Sequence, residues 1–257
     1  MRVLLPIAVI VAVVMTGCTT DSTETVPSPA PSAPAASPSV PPSEVTTDPS
    51  QLWQRALEQT GGSDGAVVDV QLITDVEGFE RITSGEGYVE MNQGYGDIVW
   101  TDELGTTREV LTADGHFLEV DGTWFAIESP GSLPTTVAFD PLRGLDAATN
   151  VVDAGGEVVF GVNTTRLDAQ LDPSQGATSM GFSDEERTVF VDNDDASLTS
   201  TMWVDEQGRI VRLLRDYRSE SVDGDPVSAT SLYVFTGVGV VQPIDVPETA
   251  DAIPAPV

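Results

Sequence analysis

Basic residues, cysteine and histidine are scarce in this sequence of 257 residues. It has one cysteine, one histidine (His116) and no lysine, so all 11 basic residues are arginines. A single cysteine excludes an internal disulfide and a zinc site of several cysteines, and a single histidine excludes a metal site of several histidines. Against 41 acidic residues, the arginines leave a net charge of −30. This charge argues against nucleic-acid binding, which uses stripes of Lys and Arg to neutralise phosphates.

Several motifs of the common enzyme classes are absent as well. The sequence has no His-Glu-x-x-His, Walker or dinucleotide-binding pattern. His116 lies in a predicted strand among aliphatic residues, which favours a core or surface histidine over a catalytic one. The run Asp192–Asp195 lacks the glycine and closing glutamate of an EF-hand loop and is interpreted as a solvated turn, and Asp184–Glu186 as an exposed helical turn. We therefore expect a protein that is not an enzyme, with no cofactor and no metal site.

The N-terminal residues predict export. Arg2 precedes an apolar run, Val3–Met15, that is too short to cross a bilayer, since a spanning helix needs about 20 apolar residues. The run ends in Met15-Thr16-Gly17-Cys18, which resembles the lipobox of bacterial lipoproteins. The resemblance implies that residues 1–17 are a signal peptide and that Cys18 carries acyl chains such as palmitate. The alternative is an ordinary secretory signal with an incidental thiol.

Residues 18–47 predict the acylated cysteine and a disordered tether. From residue 19 to residue 47, 23 of 29 residues are Pro, Ser, Thr or Ala. Such a segment cannot bury enough apolar surface to fold, although a glycosylated spacer is equally compatible with it. Anionic lipid headgroups repel an acidic domain, so the acyl chains on Cys18 must hold the protein. We expect a lipid anchor on the extracytoplasmic face of the cell membrane.

Residues 48–242 predict one α+β domain that is mostly antiparallel sheet, followed by a C-terminal tail, residues 243–257. Asp48-Pro49 is typical of a helix start, and after this helix the apolar residues recur with a period of two. Asp121-Gly122 indicates a tight hairpin, and Asp140-Pro141 a second, short helix.

About ten or eleven strands and two or three short helices are expected. The second strand is predicted at Tyr88–Met91, and a middle strand at Glu157–Val162. Such a chain forms either one sheet that curls around its helices or two sheets packed as a sandwich.

Three stretches of this domain carry a resemblance to a known family. They are Gly65–Val70, the segment that begins Asp140-Pro141-Leu142-Arg143-Gly144-Leu145, and the hairpin Met202–Arg212. Together with the lipobox and the tether they resemble the actinobacterial LppX/LprG lipoprotein family, relatives of the periplasmic carrier LolA. The resemblance implies a large curved half-barrel with short helices on its concave side. It also implies a membrane-anchored, non-catalytic carrier of a lipid or lipoglycan, with an envelope transport protein as a further candidate partner.

One predicted strand face is aliphatic and uncharged, which suits acyl chains because each buried CH₂ contributes about 0.8 kcal/mol. A packed core and a lined cavity use the same residue types, so both interpretations stay open. With a filled core, the protein would instead be an interaction or sensor lipoprotein that binds an envelope protein. The candidate cavity-lining residues are Val68, Val70, Leu72, Leu167, Ala169, Leu171, Met202, Val204, Leu232 and Val234.

Two further residue sets are candidates for recognition. Arginines concentrate near the C-terminus, where they could bind headgroup phosphates or pair with neighbouring acids. Trp100, Trp124 and Trp203 could form a carbohydrate platform or fill hydrophobic faces. The arginines are Arg209, Arg212, Arg215 and Arg218.

Overall fold

The computed structural model describes residues 48–76, 78–127, 138–172, 196–220, 226–247 and 253–254, all within one compact unit, Thr46–Val257. The predictions for Cys18, the tether, Asp184–Glu186 and Asp192–Asp195 lie outside these residues. The elements are α1 (Pro49–Gly61), β1 (Ala66–Val76), β2 (Phe79–Glu90), β3 (Tyr95–Asp102), β4 (Gly105–Thr112), β5 (Gly115–Val120), β6 (Thr123–Ala126), a 3₁₀ helix (Leu145–Ala147), β7 (Ala148–Val159), β8 (Val162–Leu171), β9 (Ser197–Asp205), β10 (Ile210–Glu220), β11 (Pro226–Phe235) and β12 (Ile253–Pro254).

Helix α1 begins where its sequence predicts. The Asp48 carboxylate accepts a hydrogen bond from the backbone N–H of Ser50 at 2.9 Å. Pro49 takes the first helical position, where a backbone N–H has no partner in the helix. Trp53 is fully buried on the sheet side of the helix, and its Nε1 donates to the Leu145 carbonyl at 2.9 Å. The helix is thus fixed to the 3₁₀ helix as well as to β7 and β10.

The described strands form one twelve-stranded sheet in the order β12-β6-β5-β4-β3-β2-β1-β11-β10-β9-β8-β7. Only the short β12 runs parallel to its neighbour, β6. The prediction of a single, mostly antiparallel sheet is therefore confirmed, and the alternative of a two-sheet sandwich is wrong. The hairpin predicted at Asp121-Gly122 is also confirmed, because both residues have positive φ (52° and 77°) between the paired Val120 and Thr123.

Two strands begin earlier than predicted. Strand β2 begins at Phe79 and strand β7 at Ala148. The prediction of one strand at Glu157–Val162 is wrong, because this range contains the turn between β7 and β8. The sequence of β2 lacks a clear alternation of apolar and polar residues, partly because Gly85 occupies an inward position. The Trp100 ring packs over this glycine, and a Cβ there would lie 2.6 Å from the ring. Strand β7 contains two register shifts, each of which offsets the alternation. A search for period two therefore misses both strand beginnings.

The two faces of the sheet differ in what they pack against. We call the side that carries α1 the helix face and the opposite side the outer face. In β1, Val68 and Val70 lie on the helix face, whereas Val67 and Asp69 lie on the outer face. Directly opposed residues of antiparallel strands share a face, so the register extends this assignment across the sheet. One row of the helix face consists of Val70, Tyr233, Leu213, Met202 and Leu167.

The described residues after β11 lie beside the sheet at several places. The backbone N–H of Gly239 donates to the Gly65 carbonyl at 2.8 Å, next to β1. Gln242 and Pro243 then lie over the outer face, and Ile253 pairs with β6. Pro243 and Ile253 of the predicted tail thus lie against the sheet, and Pro243 borders a groove that is described below.

Candidate functional site

Most of the predicted cavity-lining residues lie together on the helix face. Seven of them are at most 5% exposed, and Leu72 is half-buried against the same cluster. The structure thus brings together residues from β1, β8 and β9, although whether they line a cavity stays a prediction. These residues are Val68, Val70, Leu72, Leu167, Ala169, Leu171, Met202 and Val204.

The assignment of Leu232 and Val234 to this face is wrong. Strand β11 pairs with β1 so that Val70 opposes Tyr233 and Val68 opposes Phe235. Tyr233 and Phe235 therefore occupy the helix face, and Leu232 and Val234 lie on the outer face. The error is a shift of one residue, which moves every side chain of a strand to the other face.

Beyond the buried cluster, the helix face continues as an apolar surface that is partly open to solvent. We call Leu72, Tyr217, Val227 and Ala229 the half-buried strip. The register places Ala229 opposite Tyr217, in the same part of the sheet as Leu72. An apolar surface that runs from a buried cluster to a half-exposed edge can admit an acyl chain without first exposing the whole core.

The helix face is not free of charge, contrary to the sequence-based interpretation. Arg215 lies on it between Ser200 and Ser231 of the neighbouring strands and is 5% exposed. Its Nη2 donates to the carbonyl of Pro141. Its Nε is buried and, among the described residues, has no hydrogen-bond partner. A guanidinium flanked by two serines therefore lies within a mostly apolar face.

Burial shifts the pKa values of Arg215 and of two neighbouring groups. Desolvation lowers the pKa of Arg215, although the nearby Tyr233 and Asp140 act in the opposite direction. Desolvation also raises the pKa of Tyr233, against the influence of the Arg215 charge. The pKa of Asp140 is raised by burial, against the influence of Arg215 and Arg143. The low-dielectric surroundings thus disfavour the charged form of all three groups.

A second polar cluster lies at the other end of the helix face. Glu109 is fully buried; its Oε1 lies 2.7 Å from His116 Nε2, and its Oε2 accepts from Trp100 Nε1 at 2.9 Å. The His116 ring meets the Phe139 ring edge-on at a centroid distance of 6.5 Å. His116 is 1% exposed and its Nδ1 has no hydrogen-bond partner. The expectation of a core histidine therefore agrees with its position.

The outer face contains a groove of about 1070 Å³. Strands β11, β1, β2 and β3 form its floor, with Gln242 and Pro243 of the tail at its border. Asp69 and Glu86 oppose each other directly across β1 and β2, and both are exposed. Leu232 and other apolar side chains share the floor. The groove thus combines apolar surface with two facing carboxylates, which repel each other.

Comparison with protein-family models gives no match, and comparison with curated proteins gives none. Among solved structures, the chain is similar to lipoprotein LppX of Mycobacterium tuberculosis, with a TM-score of 0.52 and 20% identity over 76% of this chain and 99% of that one. It is also similar to LprF of Mycobacterium bovis, with a TM-score of 0.52 and 15% identity over 78% of this chain and 96% of that one. The domain has the fold of LppX and LprF. At these identities the likeness shows the fold alone.

Within this LppX-like fold, the arginines of β10 do not form one basic patch. Arg209 and Arg218 each pair with a nearby aspartate, at 2.8 and 2.9 Å. The Arg212 guanidinium lies over the Trp203 ring, 4.6 Å from its centroid. Only Arg215, of these four, points to the helix face. Arg209 and Arg218 are thus explained by pairing. Arg212 stacks on Trp203, although its Nε, like that of Arg215, is buried without a hydrogen-bond partner among the described residues.

The three tryptophans do not form one platform. Trp100 lies on the helix face, where it donates to Glu109. Trp124 and Trp203 lie on the outer face, in contact with Arg108 and with Arg166 and Arg212, respectively. Within the described residues, no helix is long and apolar enough to cross a membrane, and no group of three His, Cys, Asp or Glu residues is arranged to hold a metal ion.

Proposed function

We propose that this protein is a membrane-anchored bacterial lipoprotein that binds an acyl chain of a lipid or lipoglycan on the helix face and carries it across the cell envelope without catalysis. The observation that supports this proposal is the continuity of the helix face, from the buried cluster to the half-buried strip. The fold shared with the lipoproteins LppX and LprF is consistent with it.

The N-terminal sequence completes this proposal. Acyl chains on Cys18 would hold the protein at the membrane, and the tether of residues 19–47 would let the domain reach away from the headgroups. The acidic domain would be repelled by the anionic surface, which favours its release from the membrane between loading and unloading.

Native mass spectrometry of the mature, full-length protein purified from its host tests this proposal. We expect a population that carries one amphiphile, which organic extraction then identifies. Leu72→Gln places an amide in the half-buried strip and should reduce the loaded fraction. Val99→Gln makes the same kind of change on the outer face, where Val99 is 43% exposed, and should leave loading unchanged. Recovery of the protein without any bound amphiphile, together with no binding of added lipids, would contradict the proposal.

The outer-face groove favours a second candidate function, an envelope interaction lipoprotein that binds a protein partner. Its facing carboxylates, Asp69 and Glu86, would suit a basic segment of that partner. Crosslinking in the host with wild-type protein and Asp69→Lys tests it. Loss of a specific crosslink in Asp69→Lys, with lipid loading intact, would favour this function. Equal crosslinks in both proteins would exclude the groove as the binding site of the partner.

A further inference from the structure

We propose that the ligand of the helix face is an anionic amphiphile, and that Arg215 binds its carboxylate or phosphate group. This inference rests on the proposed carrier function and names the ligand class. It starts from the position of one guanidinium, which is buried on the surface that would receive an acyl chain. It does not use the outer-face groove.

Arg215 lacks the partners that a buried guanidinium normally has. Nη2 donates to the Pro141 carbonyl, which is a neutral acceptor, and Nε is buried without a partner. Within the described residues, Arg215 forms no ion pair with a carboxylate, whereas Arg108, Arg166, Arg209 and Arg218 all do. A buried charge without a counter-charge is costly, so an anion that reaches Arg215 gains an interaction that the protein does not itself satisfy.

The carboxylate of Asp140 does not replace such an anion. Asp140 affects the pKa of Arg215 electrostatically, but the two residues form no ion pair. Burial raises the pKa of Asp140 despite the nearby arginines, so its charged form is disfavoured where it lies. Among the described residues, Asp140 is thus a neighbour of Arg215 and not its bonded counter-ion.

The sheet residues beside Arg215 have small side chains, and the sheet continues from them into the half-buried strip. The neighbours of Arg215 in the same row are Ser231 and Ser200, and Ala169 follows on the next strand. These side chains are small, and the next row contains Ala229, which is half-buried. A headgroup at Arg215 would thus place its acyl chain along the apolar strip. The planar guanidinium fork matches carboxylate and phosphate geometry.

A structural role for Arg215 predicts a different result. If Arg215 only anchors the segment at Pro141, then Arg215→Met should destabilise the domain. If its main purpose is to bind an anion, Arg215→Met removes a desolvated charge, keeps the length of the side chain, and should leave stability equal or higher. Thermal unfolding of the ligand-free protein separates these two results before any binding measurement.

The binding experiment uses a dansyl-labelled undecanoic acid and its methyl ester, which differ in charge and by one methyl group. We expect wild type to bind the acid on the order of tenfold to a hundredfold more tightly than the ester. Arg215→Met should bind the ester as wild type does and bind the acid no better than the ester. Arg215→Lys, which keeps the charge but not the fork, should retain part of the preference. Arg218→Gln, an exposed arginine of the same strand, is the matched control and should bind both probes as wild type does.

Competition then distinguishes the sources of the anion. Displacement of the acid probe by oleate indicates a carboxylate lipid, and displacement by oleoyl lysophosphatidic acid indicates a phospholipid. Displacement by inorganic phosphate but by neither lipid indicates a free anion and would overturn the proposal that the ligand is an amphiphile. Equal binding of acid and ester by wild type, or an unchanged preference in Arg215→Met, overturns the role of Arg215. If Arg215→Met does not fold, the wild-type preference and its reduction in Arg215→Lys decide the question. Failure of wild type to bind either probe contradicts the carrier function itself.

Discussion

The helix face and the outer face are built from alternate residues of the same strands, yet their charged residues differ in burial. The helix face carries an exposed pair, Arg81 with Asp102, at the far ends of β2 and β3. On the outer face, arginines stand near the surface and pair with acids, as Arg108 does with Asp97 through two bonds of 2.8 and 2.6 Å. On the helix face, Glu109 and Arg215 are buried among apolar residues. Charged pairs near the surface contribute mainly to solubility. A charge that is buried on the helix face is costly, and it therefore indicates a specific structural or binding role.

The two buried clusters of the helix face also differ from each other. Glu109 is satisfied from two sides, by His116 and Trp100. Among the described residues, Arg215 is bonded only to a carbonyl. A carboxylate bonded through both oxygens is typical of a structural element, although Nδ1 of His116 beside it is buried without a partner among the described residues. A guanidinium bonded to a neutral carbonyl leaves donors that an anionic ligand can complete. This difference separates the stability predictions below from the binding test of Arg215.

The largest expected effect comes from Glu109→Ala. The change leaves His116 and the Trp100 N–H without their buried partner, so we expect the free energy of unfolding to fall by about 3–5 kcal/mol. Urea unfolding at neutral pH measures it. Glu86→Ala removes a carboxylate from the outer face, where it only faces Asp69, and should change stability by less than about 0.5 kcal/mol. Similar losses in both variants would contradict the distinction between the faces.

A smaller effect separates two adjacent leucines of β10. Leu213 is fully buried on the helix face, and Leu214 is half-buried on the outer face. We expect Leu213→Ala to lose about 2–5 kcal/mol, because it leaves a cavity in the packed cluster, and Leu214→Ala about 1 kcal/mol. Chemical denaturation of both variants tests the register directly. A larger loss in Leu214→Ala would mean that the faces of β10 are exchanged.

The sequence predicts those parts of the fold that depend on local signals. The cap at Asp48 and the turn at Asp121-Gly122 need only neighbouring residues, and both agree with the structure. Strand β11 has no such signal, because Leu232, Tyr233, Val234 and Phe235 are all apolar and alternation cannot tell which of them point inward. Its register follows from pairing with β1, which is a long-range property.

The sequence likewise predicts only the part of the candidate site that depends on a local pattern. The aliphatic residues of β1, β8 and β9 alternate clearly, and they lie together on the helix face. The inward positions of Arg215 and Glu109 contradict the usual preference for exposed charge, so composition and period alone point them outward. A weak signal does exist in β10, where Leu213, Arg215 and Tyr217 share one parity and the apolar flanks imply an inward arginine.

The smallest of the three effects is a change in the pH dependence of stability at Asp140, beside the helix face. Burial raises the pKa of Asp140 in the folded protein above its ordinary value of 3.8. The folded state therefore holds this proton more tightly than the unfolded state, and the resulting stabilisation is present below pH 3.8 and is lost as the pH rises through the raised pKa. Asp140→Asn removes this loss. The stability of the variant relative to wild type should thus increase as the pH rises from below 3.8 towards neutrality.

Asp102 at the end of β3 supplies the control with the opposite sign. Hydrogen bonds from Arg81 and from the backbone N–H of Leu104 lower its pKa, so its stabilisation is present above the ordinary pKa and is lost as the pH falls through the lowered one. Asp102→Asn should therefore lose stability relative to wild type as the pH rises, the reverse of Asp140→Asn. Urea unfolding from pH 3 to pH 7, about the range over which unperturbed carboxyl groups titrate, measures both slopes. Slopes of the same sign would mean that the pKa of Asp140 is lowered in the folded protein, as for a carboxylate held by a neighbouring cation, and Arg215 would then have a counter-ion within the protein.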